Sequence, residues 1–293
     1  MSGGAATMAG ALGAAAAELR AAGIGAPRRE ARLLMQHALG LRPEALLAGE
    51  DRPLGGAEAC RLSALVRRRA GREPLAYLTG VREFWSLAFA VDRSALVPRP
   101  ESETVVEAVL AEAPHLPPRP RLLDLGTGSG CLLVVLLSEL PGASGVGIDI
   151  SAASVSLARA NAARHGLAAR ATFVVADWGA PLAACFDIVV SNPPYVPAPA
   201  LASLAPEVVR HEPRTALAGG SDGYACYRRL APQVARLLAP AGLAAIELGA
   251  GMADEVASLF AAAGLVEIAR RRDLAGIDRC ALFARRADPR IPT

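Results

Sequence analysis

Arg121-Leu122-Leu123-Asp124-Leu125-Gly126-Thr127-Gly128-Ser129-Gly130 decides how the rest of the chain is read. Five residues of strand character run directly into three glycines at alternate positions, a turn made tightly only where the backbone carries no Cβ. A strand that ends in such a turn and feeds a helix leaves bare peptide groups open to a ligand. The apolar run that follows, Cys131 to Leu137, is too short to span a bilayer.

Downstream, strand and helix patterns alternate. Strands are expected at 121–125, 145–150, 172–175, 187–191, 243–248, 265–270 and 280–284, with helices notably at 154–165, 224–238 and 252–262. Alternation of this kind means βαβ units, a parallel sheet covered on both faces, and right-handed crossovers. The fold class is therefore α/β, a doubly wound Rossmann-like domain.

Upstream the pattern is helical. Ala31, Leu34, Met35, Ala38 and Leu39 form an apolar stripe, Pro27 suits the first helical turn, and Gly40 suits the stop. A second stripe runs through Ala59, Leu62, Leu65 and Val66 and ends in Arg67, Arg68 and Arg69. That cluster reads either as a solvated helix end, where cations complement the dipole, or as a docking surface. Phe84, Trp85, Leu87, Phe89 and Val91 have the composition of a short hairpin. Pro98 and Pro100 break the chain before a helix at about 102–113, and a proline-rich linker runs from Pro114 to Pro120. The expected organisation is a helical substrate-recognition domain at 1–82, a hairpin and linker at 83–120, and the α/β domain at 121–293.

Composition bounds the function. Of the 293 residues, 53% are hydrophobic and 20% charged, which supports a sizeable core. Thirty-one cations stand against 28 acids, giving a net charge of +3. That balance is too even for a dedicated nucleic-acid binder, and stable nucleic-acid binding is not expected. All the cations are Arg, which excludes a Schiff-base or P-loop lysine. Cys60, Cys131, Cys185, Cys226 and Cys280 are scattered, without the spacing of a disulfide framework or a zinc site, so no metal is expected. With no signal-peptide pattern and no apolar span, a cytoplasmic protein without membrane attachment is expected.

Three acids fall at successive strand ends, on the edge of the sheet where open α/β folds bind ligands. Asp124 ends the first strand, with a carboxylate suited to a cationic amino group. Asp149, twenty-three residues after Gly126, is placed to hydrogen-bond ribose hydroxyls. Asp177 and Trp178 could bracket an adenine. The glycines fall as GxGxG and not the GxGxxG of dinucleotide binders, which removes the pyrophosphate cradle. The pattern points to S-adenosylmethionine over NAD.

The fourth strand runs into Asn192-Pro193-Pro194-Tyr195. The Asn192 side-chain carbonyl and the Pro193 backbone carbonyl could accept both N–H bonds of a planar NH₂ group and aim its nitrogen at a sulfonium methyl. Such bonds strengthen as the lone pair is freed from conjugation, so they act in the transition state. The prolines fix φ and carry no N–H, the proline after Asn192 holds it extended, and Tyr195 offers a flat wall. No strong base or nucleophile is required, which fits the scattered His37, His115, His165 and His211; only His211 lies near this region in sequence. The target could be adenine N6, cytosine N4 or a glutamine amide.

The chain resembles the protein-(glutamine-N5) methyltransferases that modify peptide chain release factors, and it does so over nearly its whole length. The resemblance is carried by Pro27-Arg28-Arg29-Glu30-Ala31 with Leu34, Glu73 to Gly80, Phe84-Trp85, Leu96 to Glu103, Asp124 to Cys131, Asn192 to Tyr195, Glu212-Pro213 with Gly219-Gly220 and Asp222-Gly223, and Asp273 to Arg279. It implies a class I methyltransferase domain behind a small helical domain and a β-hairpin, and methylation of the glutamine in the Gly-Gly-Gln tripeptide of class I release factors. It also implies that Asp124, Leu125, Gly126, Thr127, Gly128, Asp149, Trp178 and Asn192 hold the cofactor, while Asn192, Pro193, Pro194 and Tyr195 hold the glutamine. Two other readings stand beside it: an N6-adenine or other exocyclic-amine methyltransferase acting on DNA or RNA by flipping its base onto Tyr195, and a nucleotide-binding regulator that kept only the fold.

Overall fold

A computed structural model describes residues 7–286. It contains two compact units: one comprises residues up to Gly80 together with Ala205–His211, and the other comprises Val81–Leu204 and the chain from Glu212 onward.

The first unit is helical: α1 (Met8–Ala21), α2 (Pro27–Leu39), α3 (Pro43–Ala48), α4 (Gly56–Ala70) and α5 (Leu75–Thr79). α2 starts on Pro27 and ends at Gly40, whose φ of 65° is the left-handed stop that the sequence predicts. The α2 stripe Ala31, Leu34, Met35 and Ala38 is buried in one cluster with Ala15, Ala16 and Leu19 of α1 and Leu62 and Val66 of α4.

The Arg67–Arg69 cluster is divided: Arg67 and Arg68 are exposed, whereas Arg69 is buried. Arg67 donates to Ser63 and Arg68 to both oxygens of Glu73. Arg69 is buried and ion-paired with Glu30 of α2 and with Glu207. Glu207 comes from far along the chain, in the short helix Pro206–His211, and it also receives Arg72 at 3.2 Å. Two arginines thus hold a returning segment against α4. Removing one partner of a buried pair strands the other charge and costs about 3–5 kcal/mol.

The second unit opens with an antiparallel hairpin, β1 (Val81–Phe84) and β2 (Leu87–Ala90), turning through Trp85 and Ser86 at positive φ. Then follow α6 (Glu103–Ala111), β3 (Arg121–Leu125), α7 (Cys131–Glu139), β4 (Ser144–Asp149), α8 (Ala152–Arg164), β5 (Ala171–Val175) and β6 (Phe186–Ser191). After the excursion through α9, the Pro206–His211 helix of the first unit, come α10 (Ala225–Leu237), β7 (Leu238–Glu247), α11 (Ala253–Ala262), β8 (Leu265–Arg272) and β9 (Asp278–Arg285). The seven-stranded sheet has the order β5-β4-β3-β6-β7-β9-β8. Pairings from β5 through β7 are parallel, as expected. The far edge corrects the all-parallel expectation: β9 runs antiparallel between β7 and β8. Five residues, 273–277, separate β8 from β9, too few for a crossover helix.

Strand side chains alternate between two cores. Leu122, Ile188, Val190, Leu243 and Leu282 bury against α6, α7 and α8, whereas Leu123, Val189, Ala244, Ile246 and Phe283 bury against α10 and α11. Both faces are covered, so the strands read as unbroken apolar runs. α7 is apolar on every side because Leu132 through Leu137 are all buried. Among the described residues, no helix is long and apolar enough to cross a membrane.

Candidate active site

The sheet order reverses between β3 and β6, and strand ends part there to leave a crevice. At this point the second unit holds a cavity of about 470 Å³ lined by the glycine turn, Asp149, Trp178, Asn192, Pro194, the stretch Ser94–Arg99 in part, Ser102, and the loop Pro213–Ala216.

The turn is built as its glycines require. Gly126, Gly128 and Gly130 have φ of 78°, 54° and 79°, where a Cβ is strained. At Gly130 a Cβ would also stand 3.0 Å from that of Ala158. The Gly126 and Thr127 amides donate to the Ile148 carbonyl at 2.9 and 2.8 Å, which pins the turn to the end of β4. Asp149 accepts from Gly128 N–H through one oxygen and from Ser151 N–H through the other, both at 2.9 Å. Each oxygen keeps a second lone pair, and the side chain lines the cavity.

Asp124 sits behind the turn and not on the cavity wall. It is buried; one oxygen accepts from Thr127 Oγ1 at 2.6 Å, and Oδ1 has no partner among the described residues. Burial, with the nearby Asp149 charge, pushes its pKa up to about 7 against the pull of Thr127. Trp178 lies against Gly126, its ring 3.6 Å from where a Cβ would be, and its own φ is 51°. A bulky side chain held in the left-handed region marks a constrained position. Asp177 also lines the cavity, and its carboxylate is paired with Arg229 at the surface.

The Asn-Pro-Pro-Tyr string leaves the end of β6. Ser191 Oγ donates to the Leu125 carbonyl at 2.6 Å, tying β6 to β3. Asn192 and Pro194 line the cavity. The Asn192 Nδ2 donates to Ser102 Oγ at 3.1 Å. The Tyr195 hydroxyl lies 3.4 Å from Glu247 Oε1. The backbone beneath Tyr195 is closely backed: a Cβ on Gly219 would fall 2.8 Å from Tyr195 Cα and 2.6 Å from the Gly223 carbonyl oxygen.

Sequence reasoning missed two features. Glu247, ending β7, is a buried acid whose pKa burial pushes to about 7, with Oε2 unpartnered among the described residues; its signal was an acid at the close of the apolar run Leu243–Ile246. Ser102 touches Asn192 from ninety residues away in the chain. Arg99, in the stretch Arg99-Pro100-Glu101 that the family resemblance sets beside the cofactor without assigning its atoms, is on the cavity wall and is held by the buried Glu212. His211 lies in α9, in the helical unit, with Nδ1 buried and unpartnered among the described residues. Among the described residues, no cluster of His, Cys, Asp or Glu is placed to hold a metal ion.

A sheet of this order, with its glycine turn at the switch point and its acids along the carboxyl edge, defines a class I methyltransferase domain. A model described as a methyltransferase domain matches residues 118–259, and one described as the PrmC N-terminal domain matches residues 10–80. The chain is 48% identical to a release factor glutamine methyltransferase of Rhodospirillum rubrum over 94% of this chain and 84% of that one. It is 45% identical to one of Bradyrhizobium diazoefficiens, over 94% and 93% respectively. Among solved structures, the hMettl16 catalytic domain in complex with MAT2A 3′UTR hairpin 1 aligns with a TM-score of 0.53 at 17% identity, covering 81% of this chain and 84% of that one, a likeness of fold. The chain belongs to the release factor glutamine methyltransferase family.

The methyl donor of this class is S-adenosylmethionine, and the residues present suit it. Asp124 and Asp149 lie close together, and neither is ion-paired with an arginine among the described residues. Uncompensated negative charge behind a glycine turn favours a cationic ligand.

Proposed function

We propose that the protein transfers the methyl group of S-adenosylmethionine to the side-chain amide nitrogen, N5, of the glutamine in the Gly-Gly-Gln tripeptide of class I peptide chain release factors, in the cytoplasm. The helical unit, matched by the PrmC N-terminal model, serves to recognise the protein substrate.

Bound at the glycine turn, S-adenosylmethionine supplies an electrophilic methyl on a sulfonium. Asp124 through Gly128 form the turn that receives it, Asp149 offers its spare lone pairs to the ribose hydroxyls, and Trp178 walls the adenine. The reading rests chiefly on Asn192. Its Nδ2 is already engaged by Ser102, so Oδ1 is the end free to accept from a substrate NH₂. The Pro193 carbonyl takes the second N–H, Pro194 has no N–H to compete, and Tyr195 closes the far side. Two accepted bonds favour a pyramidal nitrogen, so they strengthen as the amide lone pair leaves conjugation and attacks. The alkylated nitrogen then becomes acidic and loses its proton without a dedicated base. Orientation supplies much of the acceleration.

The test offers methyl-labelled S-adenosylmethionine with a class I release factor, with DNA and with RNA. Label is expected on the factor alone, and it should vanish when the tripeptide Gln is changed to Ala. Label on nucleic acid alone would refute the substrate assignment.

A further inference from the structure

S-adenosylmethionine brings an adenosine, a sulfonium, and an amino-acid tail that ends in an ammonium and a carboxylate. Asp149 and Trp178 suit the adenosine, and Asp124 with Asp149 favours the cationic groups. The carboxylate has no counterpart among these residues, and two acids behind the turn repel it. We infer that Arg99 takes this carboxylate, and that Glu212 is the positioning residue that holds the Arg99 guanidinium on the cavity wall.

Among the described residues, three cations line the cavity: Arg99, Arg214 and Arg229. Arg229 is paired with Asp177 at 2.5 Å, and Asp177 adjoins Trp178, at the adenosine end. Arg214 is exposed, and an ion pair made in water contributes little. Arg99 differs on both counts: its side chain is 34% exposed, and it stands at the opposite end of the cavity. Its backbone carbonyl accepts from Ser102 N–H at 3.1 Å, and Ser102 Oγ accepts from Asn192 Nδ2 at 3.1 Å. Arg99 is therefore one short turn from the residue that Asn192 touches. The sulfonium must face Asn192 for its methyl to reach a substrate nitrogen. Only two methylenes and the α-carbon separate that sulfur from the carboxylate, so the carboxylate is confined to the same end.

The guanidinium is left with donors to give. It carries five N–H groups in a planar fork that matches a carboxylate. Glu212 Oε1 accepts from Nη2 at 2.5 Å, while Nε and Nη1 meet no acceptor among the described residues. Glu212 is itself fixed: its side chain is 1% exposed, and Oε2 accepts from Val97 N–H at 3.3 Å. A long side chain already held in place has less rotamer freedom to lose when it binds. Glu212 also begins the loop Pro213–Ala216, so one buried acid joins two parts of the cavity wall. The inference rests on the cofactor lying at the glycine turn with its sulfonium toward Asn192, and it is independent of which acceptor is methylated.

Calorimetric titration of the full chain, with no methyl acceptor present, measures the affinity for S-adenosylmethionine and for its decarboxylated analogue, which keeps the adenosine, sulfonium and ammonium. Wild type should bind the parent about 10- to 100-fold more tightly, the range of a hydrogen bond to a charged group. Arg99→Met keeps the apolar stem and should lose that factor for the parent, while its affinity for the analogue stays within about twofold. Arg99→Lys, a cation without the fork, should recover part of the loss. Glu212→Gln can still accept from Val97 N–H but holds Arg99 by a neutral bond of roughly half the strength, so it should lose about 3- to 10-fold for the parent alone. Should Glu212→Gln fail to fold, Glu212→Asp, which draws the charge back from Arg99, takes its place with the same expectation. Equal losses for both ligands in Arg99→Met, or a wild type that does not distinguish them, would overturn the assignment of Arg99 and leave the cofactor site standing. Unchanged or tighter binding of the parent by the Glu212 variant would overturn the positioning role. A wild type that bound neither ligand would overturn the reading of the glycine turn and this inference with it.

Discussion

Replacing Asp124 with Asn should stabilise the ligand-free protein at pH 8 while weakening its hold on the cofactor. Asp124 is buried behind the glycine turn with one orphaned oxygen, and its pKa stands at about 7 against an ordinary 3.8. An acid that holds its proton more tightly folded than unfolded gives its full support below about pH 4 and loses it as pH rises to about 7. A shift of roughly three units at 1.36 kcal/mol each amounts to about 4 kcal/mol against the ionised protein at pH 8. The Asn side chain removes that penalty. Its carbonyl can still accept from Thr127, but its NH₂ then occupies the orphan position as an unpaired buried donor, at a cost of about 2 kcal/mol. The net gain is about 2 kcal/mol at pH 8, or roughly 4–8 °C in Tm for a domain of this size. The penalty on wild type grows by about 1.4 kcal/mol per pH unit above 4, so the two stability curves should cross at about pH 5.5, with Asp124→Asn the less stable protein on the acid side.

The assay is thermal unfolding of both proteins, ligand-free, from pH 4.5 to 8.5, followed by S-adenosylmethionine titration over the same range. A cation bound at the turn favours ionised Asp124, so wild-type affinity should weaken as pH falls below about 7, by up to about tenfold per unit. In Asp124→Asn affinity should be lower and flat with pH. A variant less stable than wild type at pH 8 by an amount that does not change with pH would refute the reasoning, because it would make Asp124 a satisfied structural acid.

Two further outcomes follow from the packing around the site. Asn161, fully buried on α8, donates to the Ala90 and Ser129 carbonyls and accepts from Ala90 N–H, so Asn161→Leu orphans three backbone groups; denaturant unfolding should show a loss of about 3–5 kcal/mol at unchanged m-value, and a loss below about 1 kcal/mol would mean the hairpin is held by other contacts. Gly219→Ala would drive a Cβ against the Tyr195 backbone; kcat should fall at least about tenfold with cofactor affinity retained, and unaltered kinetics would show that the string tolerates a shift.

What the sequence made legible was local or periodic. β3 and its glycine turn were readable because strand character and positive-φ demand both show in adjacent residues, and the alternation from β3 to β7 carried the parallel order with it. The strand ends at Asp149 and Asn192 followed from that order, since parallel strands deliver their C-terminal residues to one edge. The direction of β9 does not follow from its composition, because an apolar run of five residues has none; the five-residue connection to β8 excludes a crossover, and the resemblance of Asp273 to Arg279 to a final hairpin points the same way. Arg69 escaped for a different reason. A run of three arginines at a helix end looks solvated until acids from elsewhere arrive, and Glu207 arrives from 138 residues away. Ser102 and Glu247 share that logic. A serine after Pro-Glu and an acid after an apolar strand are individually ordinary. Their chemistry exists only because the sheet order sets β7 beside β6, so that the last side chain of one strand stands next to the string that leaves the other. Pairwise proximity of this kind is a property of the topology, and it becomes visible at the step where register is known: Ser191 opposite Ile246 places Glu247 level with Asn192, where the Tyr195 hydroxyl meets it.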